Sequence, residues 1–394
     1  MKLQKGFSLI ELMVSMGIVV TVVAIATGTL MQAEHATTAV AYMANTQENL
    51  RSGMHFMVRD LMQAGEGIPQ GGVSIPYTAT SAVNRPGTAT IFPNTYITMP
   101  AITPGWKAGQ FATSLNPSTG ATLTGIQTDI INIIYADNVL VDSPATNHYL
   151  YSYPVIQAAP SAPVCAGTIS ATGASVTLAP ACFTMPGTTN PITTGNLIMF
   201  HNQNGTALEY VTSVAGQTIN FAAGDPAGLN QTGKTNGTVA NLATSPGVFP
   251  PTTITRVWMV TYYMDATNAQ DPQLIRQVNY PGYPLGAPVN PPTAIADDIE
   301  NLAFSYAITS STDPVGTYPI NQFTNGSGNA STPISPDTPA QIRAVNVFVA
   351  GRSENTYTAL SSPQYLRNNL STQVSIRSLS FTDAFETSAQ QTAP

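Results

Sequence analysis

From Phe7 to Leu30 the chain is apolar apart from one charge, Glu11, and a few hydroxyl side chains. As a helix that run would extend about 36 Å at 1.5 Å per residue, more than the roughly 30 Å of a bilayer's hydrocarbon core. The pattern then changes without a break. Val40, Met43, Leu50, Met54, Met57 and Leu61 follow a 3/4 spacing, Gln47 fills the missing position, and Glu48, Arg51, Ser52 and Arg59 take the other face. Proline is absent from Met1 to Ile68, and Gly65-Glu66-Gly67-Ile68-Pro69 is a stop signal. One helix over 7–65 is predicted, transmembrane over 7–30 and amphipathic afterwards, about 87 Å long from Phe7 to Ala64. Its first part suits a membrane or the core of a helix bundle, and its second part suits packing on a globular head.

Beyond Pro69 the texture becomes that of a β-rich head, 66–394; the chain has 31 prolines and 30 glycines. Residues 70–128 read as loop with short strands. Runs of β-branched and aromatic residues predict strands at 129–137, 149–156, 196–202, 207–214, 255–265, 273–280, 299–309, 342–352 and 372–381. Asn204-Gly205 marks a hairpin between two of them. Stretches 157–193, 222–253 and 310–340 are rich in Thr, Asn, Gly and Pro and read as surface loops or insertions. The expected class is α+β, a long N-terminal helix packed on a mostly antiparallel head, with a short leader at 1–6.

Charge narrows the function classes. Only 8% of residues are charged against 43% hydrophobic, and 13 basic residues face 20 acidic ones for a net charge of −7. Phosphate neutralisation needs concentrated Lys and Arg, so a general nucleic-acid binder is not expected. Lys2 and Lys5 precede the apolar run and keep that end cytoplasmic, which places the head outside. Two cysteines, Cys165 and Cys182, share a Pro/Ala/Gly/Ser-rich stretch without metal-site spacing. In an oxidising compartment they would close a loop by a disulfide that stabilises by roughly 3 kcal/mol; the alternative is two buried free thiols.

Three readings compete for the N-terminus. A plain anchor is one. A secretory signal is another, with Ala24-Ile25-Ala26 as an A-x-A cleavage site. Neither accounts for Glu11, since a carboxylate inside a spanning helix costs a few kcal/mol and usually has a function. Cleavage between Gly6 and Phe7 accounts for it. That cut creates an α-amino group at Phe7, one turn from Glu11 and on the same face, at the positive end of the helix dipole. In a bundle of such helices Glu11 could pair instead with the amine of a neighbouring subunit and mark the register between them.

Lys5-Gly6-Phe7-Ser8-Leu9-Ile10-Glu11-Leu12 resembles the processing motif of type IV prepilins and type II secretion pseudopilins. The resemblance implies a prepilin peptidase that cuts after Gly6 and methylates the Phe7 amine, and a Glu11 that helps recruit each subunit. It implies residence in the bacterial inner membrane as a single-pass protein before assembly, and then in a pilus at the cell surface. Its partners would be other pilin subunits, the peptidase and an inner-membrane assembly platform. Many major pilins have proline where this chain has Gly28; Gly28 and Gly17 soften a helix by up to about 1 kcal/mol each but imply no proline-type kink. Further runs are similar to those of the PilW-type minor pilins, with the GspJ-type minor pseudopilins as nearest competitor. They are Arg59-Asp60-Leu61 with Ala64-Gly65, Ile299-Glu300-Asn301-Leu302 with Phe304 and Tyr306, and Ile342-Arg343-Ala344-Val345 ending in Gly351-Arg352-Ser353.

Candidate chemistry is sparse. His35, His55, His148 and His201 show no ligand spacing, and neither a G-x-S-x-G elbow nor a phosphate-binding glycine motif occurs. Asp265, Asn268 and Asp271 could line a calcium loop, but such clusters are more often hairpin turns. Asp297, Asp298 and Glu300 read as a solvated strand start, and Arg343, Arg352, Arg367 and Arg377 as partners for strand-edge acids rather than a DNA patch. No catalytic residue, cofactor or metal is expected. The sequence leads to a minor pilin that initiates or caps a filament, with a minor pseudopilin or a tip-displayed adhesin as alternatives.

Overall fold

The computed structural model describes residues 8–69, 71–76, 83–86, 92, 97–109, 114–115, 122–123, 127–137, 153–155, 167–178, 192–231, 233, 235–280, 291–308, 320–321, 339–357 and 364–380. Gly6, Phe7, Cys165, Cys182 and His148 lie outside them.

A single helix, Leu9–Gln63, runs unbroken through Gly17 and Gly28, about 82 Å at 1.5 Å per residue. It ends where the glycines begin. Gly65 and Gly67 take positive φ, +77° and +67°, a region that costs other residues more. Gly65 N–H donates to Ile134 O, Ala136 N–H donates to Glu66 O, and the Ser378 hydroxyl reaches Ala64 O. A Cβ on Gly67 would lie 2.6 Å from that of Ala136, so the stop also holds the chain against the strand Ile130–Ala136.

The described strand pairings are all antiparallel. The expected α+β class is what the chain adopts. The aromatic run around Trp258 is the middle of strand Thr252–Asp265, which pairs with Leu197–Asn202, Ile130–Ala136, Tyr153–Val155 and Gln273–Val278 in an eight-stranded sheet. A four-stranded sheet is ordered Ile320–Asn321, Ile299–Ile308, Ile342–Arg352, Arg367–Ser375. Leu50, Met54, Met57 and Leu61 of the helix share one core with Ile131, Tyr262 and Leu274 of the larger sheet and Leu302, Val347 and Val374 of the smaller. The helix therefore wedges both sheets together. Asp129 bridges the same sheets: its carboxylate accepts from Lys107 N–H at 2.7 Å and Phe304 N–H at 2.9 Å.

Several expectations need correction. Val40 and Met43 are 70% and 47% exposed, and Gln47 is exposed too. The head-facing stripe is Thr46, Leu50, Gly53, Met54, Met57, Asp60 and Leu61, so the 3/4 spacing before Leu50 follows the wrong side. The segment 222–253 is not a surface loop. Ala227, Leu229, Val239, Leu242 and Phe249 are buried in two further cores, because its polar side chains turn inward to satisfy backbone. Asn230 bonds both N–H and C=O of Tyr210, and Asp225 accepts from the N–H groups of Ala227, Leu229 and Asn230. The run at 372–381 divides into the end of strand Arg367–Ser375 and a short helix, Arg377–Ser380. The hairpin expected at Asn204-Gly205 is present: it joins Leu197–Asn202 to Gly205–Tyr210 and turns on Gln203 and Asn204.

Burial pushes the Asp129 carboxyl up to about 6, against the backbone N–H groups that favour its ionised form. A raised folded-state value means stability fully present below about pH 4 and lost as pH rises through about 6. Asp129→Asn, which cannot titrate, should gain on wild type by up to about 3 kcal/mol between about pH 4 and 7. Denaturant melts at the two pH values measure this; an identical difference at both would remove Asp129 as the source.

Candidate functional site

The helix carries the site in three parts. At its start Ser8 is the N-cap, and its backbone N–H donates to Glu11 Oε2 at 3.1 Å. This is the backward half of a capping box, Ser8-x-x-Glu11, in which a carboxylate at the third helical position satisfies an orphan N–H. The Ser8-x-x-Glu11 spacing is the sequence signal for it, and it gives Glu11 a role beside its charge. The carboxylate is thereby held at the positive end of the dipole, next to the position where cleavage after Gly6 would expose an amine.

The second part is the apolar rod. Every residue of the rod from Leu9 to Leu30 is exposed. Leu9, Ile10, Met13, Ile25 and Leu30 are each two-thirds or more exposed. At about 1.5–3 kcal/mol per large side chain, covering this surface is worth on the order of tens of kcal/mol. Its hydroxyls do not oppose burial. Ser15 bonds to Leu12 O, Thr21 to Gly17 and Ile18 O, Thr27 to Val23 and Ala24 O, and Thr29 to Ala26 O. Each polar group is satisfied inside the helix, as an apolar medium requires. Glu11 alone adds a full charge. Val40 and Met43 carry exposed apolar surface further along the helix.

The third part fixes the rod to the head. Asp60, 1% exposed, accepts at Oδ2 from Tyr262 Oη at 2.6 Å and from Arg276 Nε at 2.7 Å. Its Oδ1 has no hydrogen bond; Arg59 Nε, at 3.5 Å, adds charge only. Burial and the Asp60 charge raise the Tyr262 pKa, so its hydroxyl stays a donor. Burial alone would lower the Arg276 pKa, but its hydrogen bond and charge attraction to Asp60, together with its interactions with Tyr262, more than offset that, and the net shift is upward. The visible signal was a carboxylate between Met57 and Leu61 on an apolar stripe.

A second ionic cluster lies where the helix meets the smaller sheet. Arg352, 1% exposed, stands 3.6 Å from Asp298 and 3.9 Å from Glu300, and donates to Ala269 O and Gln270 O at 2.9 Å each. Arg367 binds Glu300 through Nε and Nη2 at 2.6 and 3.0 Å. Asp298 and Glu300 are thus buried and paired, not a solvated strand start. Arg343 donates to Ala340 O and Ile342 O. Asp265 and Asn268 cap turn N–H groups, and Asp271 accepts from Gln273. His35 meets the Tyr357 ring edge-on, while His55 and His201 are exposed.

A carboxylate at the helix start, set in a rod whose other polar groups are internally satisfied, is the geometry of a helix meant for apolar surroundings. Residues 1–27 match the family model described as the prokaryotic N-terminal methylation motif. Those residues are type IV prepilin-like. The motif implies processing by a prepilin peptidase and assembly with other pilins in general terms, and together with the apolar helix it fits membrane anchoring before assembly. No curated protein and no solved structure matches the chain. The match is confined to the leader and the first part of the helix.

Proposed function

We propose that this chain is a minor pilin of a type IV pilus that assembles through its N-terminal helix and helps to initiate or cap the filament. The observation that carries the reading is the wholly exposed apolar rod beginning at the methylation motif. Processing would cut between Gly6 and Phe7 and methylate Phe7, Glu11 would mark the register between helices, and assembly would be noncovalent and without turnover. Export would place the head in an oxidising compartment, where Cys165 and Cys182 would be bridged.

The three runs that resemble PilW-type pilins support the minor subclass, and each contributes to the core shared by the helix and both sheets, through Leu61, Leu302 and Val345. Asp60 ties the helix to the larger sheet, Glu300 sits in the second ionic cluster, and strand Ile342–Arg352 lines the core that receives Leu50 and Met57. Deleting the chain should reduce the number of surface pili while protein secretion continues, and immunogold should mark few positions per filament. Loss of secretion with normal piliation would identify a pseudopilin instead.

A further inference from the structure

The strand Arg367–Ser375 ends the order of the four-stranded sheet. Its inner partner is Ile342–Arg352, in register from Arg352 opposite Arg367 to Ala344 opposite Ser375. Two bonds just beyond the strand fix which way its backbone points. Ser353 N–H donates to Leu366 O at 2.8 Å, and Ile376 N–H donates to Arg343 O at 2.9 Å. Antiparallel ladders alternate, so even-numbered residues from 366 to 376 turn inward. Arg367, Asn369, Ser371, Gln373 and Ser375 therefore turn their N–H and C=O groups outward. The Asn369 N–H is taken by Asn368 Oδ1 at 2.8 Å. Among the described residues, no strand pairs with the outward groups of Ser371, Gln373 and Ser375.

Edges of this length are ordinarily guarded by proline, lysine, a bulge or a covering element. This one spans about 30 Å, has no proline, and its one charge, Arg367, is engaged with Glu300. The other outward-turned side chains are neutral amides and hydroxyls. On the opposite face Leu370 and Val374 join the core shared with the helix, and the helix packs along the strand.

We infer that this edge is completed by an extended segment from a neighbouring pilin subunit, which adds a strand to the sheet. The inference rests on the assembly reading: the exposed helix draws subunits together, and this edge, unpaired among the described residues, lies on the part of the head packed against that helix. A neutral edge also suits a partner as poor in charge as this chain. Affinity would come from main-chain hydrogen bonds, with side-chain amides setting the register.

Full-length protein in piliated cells provides the test. Ser371→Pro and Gln373→Pro remove outward N–H groups and leave the inner ladder intact, as proline permits at an edge; Ser371→Ala changes only the side chain. Both proline variants should be processed and membrane-located, with an unchanged unfolding temperature in detergent, yet be roughly tenfold depleted from sheared pili. The alanine variant should match wild type. A photo-crosslinking residue at position 371 should join the chain to another pilin subunit, and this arm does not depend on the proline variants folding. Folded proline variants at wild-type levels in pili, no adduct from position 371, or an adduct only to a protein that is not a pilin would overturn the inference. Wild-type chain absent from pili would instead sink the assembly reading, and this inference with it.

Discussion

Asp60→Ala should lower the unfolding free energy by about 3–5 kcal/mol, because it leaves a partly buried Arg276 guanidinium and a buried Tyr262 hydroxyl without their acceptor. The effect should be local to the helix–sheet junction. Tyr262→Phe removes one hydrogen bond and no charge, and should cost about 0.5–1.5 kcal/mol. Asp60→Asn keeps an acceptor for one donor but not the charge, and should fall between them. Urea melts of the full chain in detergent give these values. A loss below about 1 kcal/mol for Asp60→Ala would mean that apolar packing of Leu50, Met57 and Leu61 holds the helix without help from the ion pair.

Glu11 variants should separate export from assembly, and the cap on Ser8 adds a control that charge alone would not suggest. Glu11→Ala removes the membrane cost of a carboxylate, so cleaved protein should reach the membrane as well as wild type. Its level in purified pili should fall about tenfold or more under the proposed register role, since the apolar rod has no other charge to take it over. Glu11→Gln can still accept from the Ser8 N–H but carries no charge. It should be depleted as strongly as the alanine variant, whereas Glu11→Asp, with a shorter reach, should retain part of the function. Normal incorporation of the glutamine variant would assign Glu11 to helix capping. Immunoblots of sheared filaments distinguish these outcomes.

Much of the architecture was legible because its signals are local. The absence of proline up to Ile68 and the glycines at 65 and 67 set the helix and its end. Strands such as Ile342–Arg352 and Thr252–Asp265 announce themselves through β-branched and aromatic runs. What stayed hidden depends on contacts distant in sequence. The stripes through Val40 and Met43 and through Thr46 and Leu50 are both consistent with a helix, and only the position of the sheets selects the second. The segment 222–253 looked like loop because its Asn and Asp residues are polar, yet they serve buried backbone. At the candidate site the charge of Glu11 is plain in the sequence, whereas the burial of Asp60 and Glu300 depends on partners more than 60 residues away. That Arg367–Ser375 is the outermost strand among the described residues cannot be seen in a sequence at all, since it depends on how distant strands pair.

The most direct measurement is the N-terminal mass of this chain recovered from sheared pili. A mature protein starting at Phe7, with its α-amine methylated, is expected. A chain that starts at Thr27, as cleavage after Ala24-Ile25-Ala26 would leave, would have lost Glu11 and most of the apolar rod, and would contradict assembly through the helix.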